Sequence, residues 1–159
     1  MLKIIDTLRA KRVAVVAAAC LTAPVANATI VEFQTAAGNF QVNLYDNATP
    51  ETVTNFLAYV NNGDYTNAIF HRSVPGFVIQ GGGFKYETRP PLQTVPSRGA
   101  ITNEPEFANL RGTIAMAKIG GDPNSATSQW FFNLADNTTI LDGQNGGFTV
   151  FGEVMDNGM

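Results

Sequence analysis

The chain has 159 residues, 45% of them hydrophobic and 14% charged, with a formal net charge of −3. That balance is too apolar for a disordered chain, the length suits one compact domain, and the mild acidity offers no basic face to nucleic acid. One His and one Cys cannot assemble a zinc site, which takes three or four such ligands. Neither a metal nor a cofactor is expected.

The first 28 residues form a separate unit. Lys3, Arg9, Lys11 and Arg12 make a basic start, Val13 to Leu21 an apolar run of about nine residues, and Ala26-Asn27-Ala28 a small-x-small end. Together they predict a cleavable secretory signal over 1–28. The apolar run is too short for the roughly 20 residues that cross a bilayer, so no stable membrane insertion is expected once it is removed. An amphipathic surface helix or a buried N-terminal helix is the competing reading. Lipidation at Cys20 is a further alternative, although Ala17-Ala18-Ala19 is a poor approach to it. The leader holds four of the ten basic residues and one of the thirteen acids, which leaves six basic and twelve acidic residues, net −6, over 29–159. Cys20 is the only thiol, so that domain must stand on its hydrophobic core without a disulfide.

Thr29–Phe33 and Asn39–Leu44 alternate apolar and polar residues around a short turn, the pattern of a half-buried hairpin. Thr49-Pro50-Glu51 then predicts a helix start, with Thr49 as the capping hydroxyl and Pro50 at the first position. Val53, Phe56, Leu57 and Val60 continue it as one apolar stripe, and Asn62-Gly63 ends it. Strands are expected at Ala68–Arg72, Phe77–Gly81, Gly112–Ala117, Trp130–Leu134 and Thr149–Val154, separated by Gly-, Pro- and Asn-rich loops. Many short strands with polar connections predict an all-β sandwich or barrel.

The densest segment is FHRSVPGFVIQGGG, Phe70 to Gly83. Pairing across Val74-Pro75-Gly76 would bring Arg72 and Gln80 to one sheet face beside Phe77. A guanidinium and an amide over an aromatic floor can bind an amide or carboxylate; the plain alternative is a surface arginine and a strand-edge glutamine. Gly81-Gly82-Gly83 lacks the Lys-Ser/Thr of a phosphate loop. His71 has no nucleophile elbow to serve, faces away from Arg72, and is read as a core histidine. Asn47-Ala48-Thr49 and Asn137-Thr138-Thr139 are glycosylation sequons only in a eukaryotic host.

FHRSVPGFVIQGGG, RGTIAMA (111–117), SATSQWFFNLADN (125–137), LDG (141–143), VFGEV (150–154) and DNATPETVTNF (46–56) together resemble the cyclophilin family of peptidyl-prolyl isomerases, in its bacterial exported branch. The resemblance runs from about Ile30 to the last residue. It implies a mainly β protein: a closed antiparallel barrel, eight-stranded in the family and about seven-stranded here, capped by an α-helix. It places Arg72 at the catalytic arginine, Phe77 and Gln80 in the proline pocket and on the substrate carbonyl, and Phe131 and Leu141 on the other apolar wall. Gln129 falls on the polar edge, and Ala117 and Lys118 where backbone pairs with the bound peptide. Val78 stands where methionine is common, Ile140 where Trp or Phe is common, and Phe148 where His or Tyr is common. The last two keep the pocket apolar and lose a hydrogen-bonding group.

The implied function is cis–trans isomerisation of X–Pro bonds in unfolded or folding exported proteins, assisting their folding in the periplasm. A monomer is expected, without nucleic-acid partners. The alternative is a catalytically weak module that binds or chaperones proline-containing peptides, for which the retained Arg72 would have little use. An unrelated ligand-holding barrel would need a central cavity, which the large apolar residues of the predicted strands argue against. The family continues past the equivalent of Met159 into a second helix and a strand that pairs with the first one. The isomerase domain over 29–159 is therefore expected to leave the edge of Thr29–Phe33 bare.

Overall fold

The computed structural model describes residues 3–6, 28–87 and 91–155. Most of the segment read as a leader, Cys20 included, lies outside them. Ten strands and two helices follow in chain order. β1 (Lys3–Asp6) precedes a hairpin of β2 (Ile30–Thr35) and β3 (Gly38–Leu44), which leads to helix α1 (Pro50–Asn61). A second hairpin pairs β4 (Arg72–Val74) with β5 (Val78–Gly81). A short ribbon of β6 (Phe84–Lys85) and β7 (Gln93–Thr94) comes next, then β8 (Thr113–Met116), β9 (Trp130–Asn133), the single-turn α2 (Thr138–Leu141) and β10 (Val150–Val154).

Eight strands form one antiparallel sheet in the order β1-β2-β3-β10-β8-β9-β5-β4. This is the mainly β architecture expected, curled into a half-barrel whose end strands β1 and β4 are not paired with each other. The inner face carries the core. Phe33 stacks on Phe40 with centroids 5.0 Å apart and meets Trp130 and Phe132 edge-on, each at 5.3 Å. Helix α1 lays Val53, Phe56, Tyr59 and Val60 across this core, and Phe56 packs on Phe151 at 5.1 Å. Of the stripe predicted for the helix, Val53, Phe56 and Val60 are buried and Leu57 partly so, and Tyr59 joins them.

Two expectations change, and an edge expected bare in 29–159 alone is covered in the full chain from outside that range. Thr49 sits at the N-cap, but its hydroxyl donates to the Tyr45 carbonyl instead of capping. The Glu104 carboxylate accepts from the Thr52 and Glu51 amides, at 2.9 and 3.3 Å. A charged acceptor suits the positive end of a helix better than a hydroxyl does, and it ties α1 to the 102–104 segment. The strand expected at Ala68–Arg72 begins only at Arg72; Ala68 makes an isolated bridge to Lys85, and Ile69 bonds the Phe84 carbonyl. Finally, the edge of β2 is occupied. Lys3–Asp6, from the segment read as a leader, pairs with it in the register Lys3↔Gln34 to Asp6↔Val31.

Removing residues 1–28 therefore bares the β2 edge. Several backbone hydrogen bonds at about 1 kcal/mol each are lost, and at this size each kcal/mol moves Tm by roughly 2–4 °C. A chain starting at Thr29 should melt roughly 5–10 °C below the full chain, or self-associate through the open edge. Calorimetry with size-exclusion chromatography checks this; identical melting and monomeric elution would show that β1 contributes nothing.

Candidate functional site

The outer face of the sheet carries a second apolar cluster: Val78, Ala115, Phe131, Leu141 and Val150, with Phe77, Ala117 and Phe148 packed against it. Strand periodicity explains both faces at once. On β9, Trp130 and Phe132 point into the core and Phe131 points out. On β8, Ile114 and Met116 face in and Ala115 out; on β10, Phe151 faces in and Val150 out. The ladder registers align Arg72↔Gln80, Gln80↔Phe131, Phe131↔Ala115 and Ala115↔Val150. One cross-strand row thus runs from a guanidinium through an amide to an apolar floor.

A cleft of about 210 Å³ opens on that row. Arg72, Phe77, Val78 and Gln80 line it from the β4–β5 hairpin, Ala117, Lys118 and Phe131 from β8–β9, and Leu141, Gln144 and Phe148 from the loop side. The hairpin turn has Pro75 followed by Gly76 at φ +71°, with the Phe77 amide bonded to the Val74 carbonyl at 3.0 Å. That is a type II turn, and it requires the glycine. It sets Phe77 beside Arg72, whose guanidinium lies 5.9 Å from the ring centroid.

A second cleft of about 220 Å³ adjoins the first, sharing Gln80, Ala117 and Lys118 and adding Gln129, Ser125 and Thr127. Gln80 donates to Gln129 Oε1 at 2.8 Å across the boundary. The glycines after Gln80 serve packing. A Cβ on Gly81 would stand 2.6 Å from Trp130 Cη2, and one on Gly82 2.5 Å from the Ser128 carbonyl. Backbone approaches the indole closely enough that only glycine fits.

Two polar assemblies hold the walls. Asn133 is fully buried, donates to Asn109 Oδ1 and Thr113 Oγ1, and accepts from Asn137 Nδ2. Asn137 also donates to the Phe77 carbonyl, while Asn109 donates to Asp142 Oδ1 and the Phe148 carbonyl. One network therefore touches three sides of the cleft. The second is Lys118, whose ammonium donates to the carbonyls of Asn145, at 2.9 Å, and Gly147, and lies 4.8 Å from the Phe148 ring. Burial lowers its pKa, and Asp122 partly opposes that. The two clamped carbonyls, of Asn145 and Gly147, flank Gly146 in a run of three left-handed residues.

Of the residues singled out from sequence, Arg72, Phe77, Val78, Gln80, Ala117, Lys118, Phe131, Leu141 and Phe148 meet in the first cleft, and Gln129 lies in the second. Ile140 does not join them: it sits on α2, 55% exposed, while Leu141 turns inward. The sequence reading missed Gln144, a polar residue in a glycine-rich loop with no pattern to mark it. It also missed the asparagine network, whose members are scattered over 29 positions. His71 is half-buried and edge-on to Phe84 at 5.0 Å, outside the main core. Burial lowers its pKa and the Arg72 charge adds to that, while hydrogen bonding to Gln129 and to the Ile69 backbone opposes it. Its stabilising contribution is thus present above about pH 6.5 and lost as the pH falls through the lowered value.

Fold and cleft define an antiparallel half-barrel with a peptide-sized groove on its outer face. Residues 30–159 match the family model for cyclophilin type peptidyl-prolyl cis-trans isomerases. The chain is 42% identical to a peptidyl-prolyl cis-trans isomerase of Acinetobacter baylyi over 147 residues, covering 91% of this chain and 77% of that one. It is 44% identical to peptidyl-prolyl cis-trans isomerase A of Dickeya dadantii over 128 residues, 80% of this chain and 66% of that one. A crystal structure of a Cryptosporidium parvum cyclophilin type isomerase superposes with a TM-score of 0.63 at 29% identity, over 80% of this chain and 77% of that one. A second structure of that protein, in the presence of the dipeptide Ala-Pro, gives 0.63 at 28% identity over 80% and 78%. The chain belongs to the cyclophilin-type peptidyl-prolyl cis–trans isomerases, and that is its enzyme class.

The buried asparagine network has a measurable consequence. Asn133→Leu leaves Asn109 Oδ1, Thr113 Oγ1 and Asn137 Nδ2 without that partner. Unsatisfied buried polar groups cost about 1–3 kcal/mol each, so Tm should fall by roughly 5 °C or more. A thermal melt within 1 °C of the parent would show, by that same scale, that the network carries no weight.

Proposed function

We propose that the protein isomerises X–Pro bonds in exported polypeptides, with Arg72 as its catalytic residue and the adjoining cleft as its peptide site. The observation that carries this reading is the cross-strand row: Arg72 directly opposite Gln80, over the Phe77 ring and beside an apolar floor.

Turning an X–Pro bond breaks no covalent bond. The barrier of roughly 18–20 kcal/mol is amide resonance, lost as the bond twists. Catalysis needs a site that binds the twisted amide better than either planar isomer. The prolyl nitrogen gains a lone pair as it pyramidalises, and the Arg72 guanidinium can donate to it. A charge-assisted hydrogen bond contributes about 1.5–3 kcal/mol, a factor of roughly ten to a hundred in rate. Phe77, Phe131 and Leu141 grip the proline ring and exclude water, while Gln80 and the backbone at Ala117 and Lys118 hold the flanking peptide. None of these steps needs a nucleophile or a metal.

Residues 1–28 are a secretory signal on this reading, and 29–159 the isomerase domain working in the periplasm. The basic start, the short apolar run and Ala26-Asn27-Ala28 support it, and no helix among the described residues is long and apolar enough to cross a membrane.

Exchange NMR on a short X–Pro peptide, with EDTA present, tests the activity: substoichiometric protein should broaden the cis and trans lines. Arg72→Ala should lower the rate at least tenfold with the fold intact, and Arg72→Lys should lose most of it, since an ammonium lacks the planar fork. Binding without exchange would favour a peptide-holding module, and unimpaired variants would remove Arg72 from its role.

Export has its own test. Mass spectrometry of protein from its native envelope should place the N-terminus at Thr29. A retained Met1 or a lipidated Cys20 would each contradict the cleavage in a distinguishable way.

A further inference from the structure

The charge pattern of the two clefts runs against that of the chain. Residues 29–159 hold six basic and twelve acidic residues, yet no carboxylate lines either cleft, and both hold a cation on the wall. Among the described residues, two of the other cations are paired with acids, and Arg111, which is not, lies exposed outside both clefts. Lys85 lies 3.6 Å from Glu87, and Arg98 lies 2.7 Å from Asp64. Among the described residues, neither Arg72 nor Lys118 has a carboxylate within ion-pair distance. Lys118 is held by the neutral carbonyls of Asn145 and Gly147, which fix its ammonium without cancelling its charge, and it stands on the boundary that both clefts share. The remaining polar lining of the second cleft, Gln80, Ser125, Thr127 and Gln129, is uncharged. The acid that acts on Lys118, Asp122, is exposed on the outer loop, where one of its oxygens accepts from the Asn124 amide.

We propose that the second cleft selects a carboxylate side chain of the substrate, so that the enzyme prefers X–Pro segments with Asp or Glu close before the proline over those with Lys or Arg. The inference rests on the isomerase reading and names its substrate class. The reason is local. A chain of net charge −6 attracts cationic peptides at long range, but salt screens that field within about 8–10 Å. Lys118 also lines the first cleft, whose apolar floor lowers the dielectric beside it and keeps its charge effective at short range. A lysine ammonium has three donors, and the two loop carbonyls leave one for a substrate oxygen. Fixing Lys118 in advance also reduces the ordering that binding would otherwise require.

The test uses the full chain and peptides that differ at one position. Glu, Gln or Lys is placed one, two or three residues before the proline, and kcat/KM is measured by exchange NMR at about 20 mM and about 500 mM salt. At the best position the Glu peptide should exceed the Lys peptide at least threefold at low salt, and the gap should shrink at high salt. Lys118→Gln should at least halve that ratio, while Lys118→Arg, which keeps the charge, should preserve it. A ratio below threefold at all three positions overturns the inference, as does a ratio that Lys118→Gln leaves unchanged. Turnover of every peptide without discrimination removes this inference alone. Absence of turnover for every peptide removes the isomerase reading beneath it.

Discussion

Everything in this molecule depends on the register of β5, β9, β8 and β10, because β8 and β9 are buried on both faces and β5 and β10 over part of their length. A one-residue slip turns every side chain of a strand to the other face, and here it would exchange core and cleft side chains. Trp130 would move to the groove and Phe131 to the interior. The packing prevents it. The indole fits only over Gly81 and Gly82, since a Cβ on either would overlap its neighbours, and Phe132 fits only beside Phe33 and Phe40. The core therefore locks the register, and the register places Arg72, Gln80 and Phe131 in one row.

The walls are a different problem, since they come from loops and a single helical turn that cannot hold themselves. Buried polar groups solve it. The amides of Asn109, Asn133 and Asn137 satisfy one another and reach the carbonyls of Phe77 and Phe148 and the carboxylate of Asp142. A fully satisfied network of this kind specifies one arrangement, because each alternative leaves an amide unpaired in a dry interior. Lys118 does the same for the turn at Asn145–Gly147, whose left-handed backbone aims two carbonyls at one point.

The legible part of this structure was the periodic part. Alternation marked β2 and β3, and short apolar runs between turn residues marked β8, β9 and β10, each to within two residues at each end; the Val53–Val60 stripe marked α1, and Pro75-Gly76 marked the turn that seats Phe77. Cleft residues carried by these elements were found with them. What stayed hidden depends on contacts between distant positions. Glu104 caps α1 from 52 residues beyond Thr52, and no local pattern separates such a cap from the nearer Thr49. Lys3–Asp6 joins the sheet from within a segment whose composition describes export. Ile140 and Leu141 are adjacent and both apolar, and only the placement of a four-residue helix decides which of them faces the cleft.

The scarcity of reactive side chains fits this construction. A reaction whose barrier is resonance rather than bond cleavage asks for shape and a directed donor, and a register-locked sheet supplies both from ordinary residues. On the proposed reading, Arg72 can remain exposed because the substrate supplies what burial otherwise would. The proline ring, seated on Phe77 and Phe131, displaces water from around the guanidinium, and the hydrogen bond strengthens as the local dielectric falls. An arginine already paired with a carboxylate would gain much less, since its donors would have to leave that partner first. The free guanidinium and the clamped ammonium thus follow one rule: each cation of the groove is oriented by neutral contacts, an aromatic face for Arg72 and two carbonyls for Lys118, and keeps its charge for the peptide.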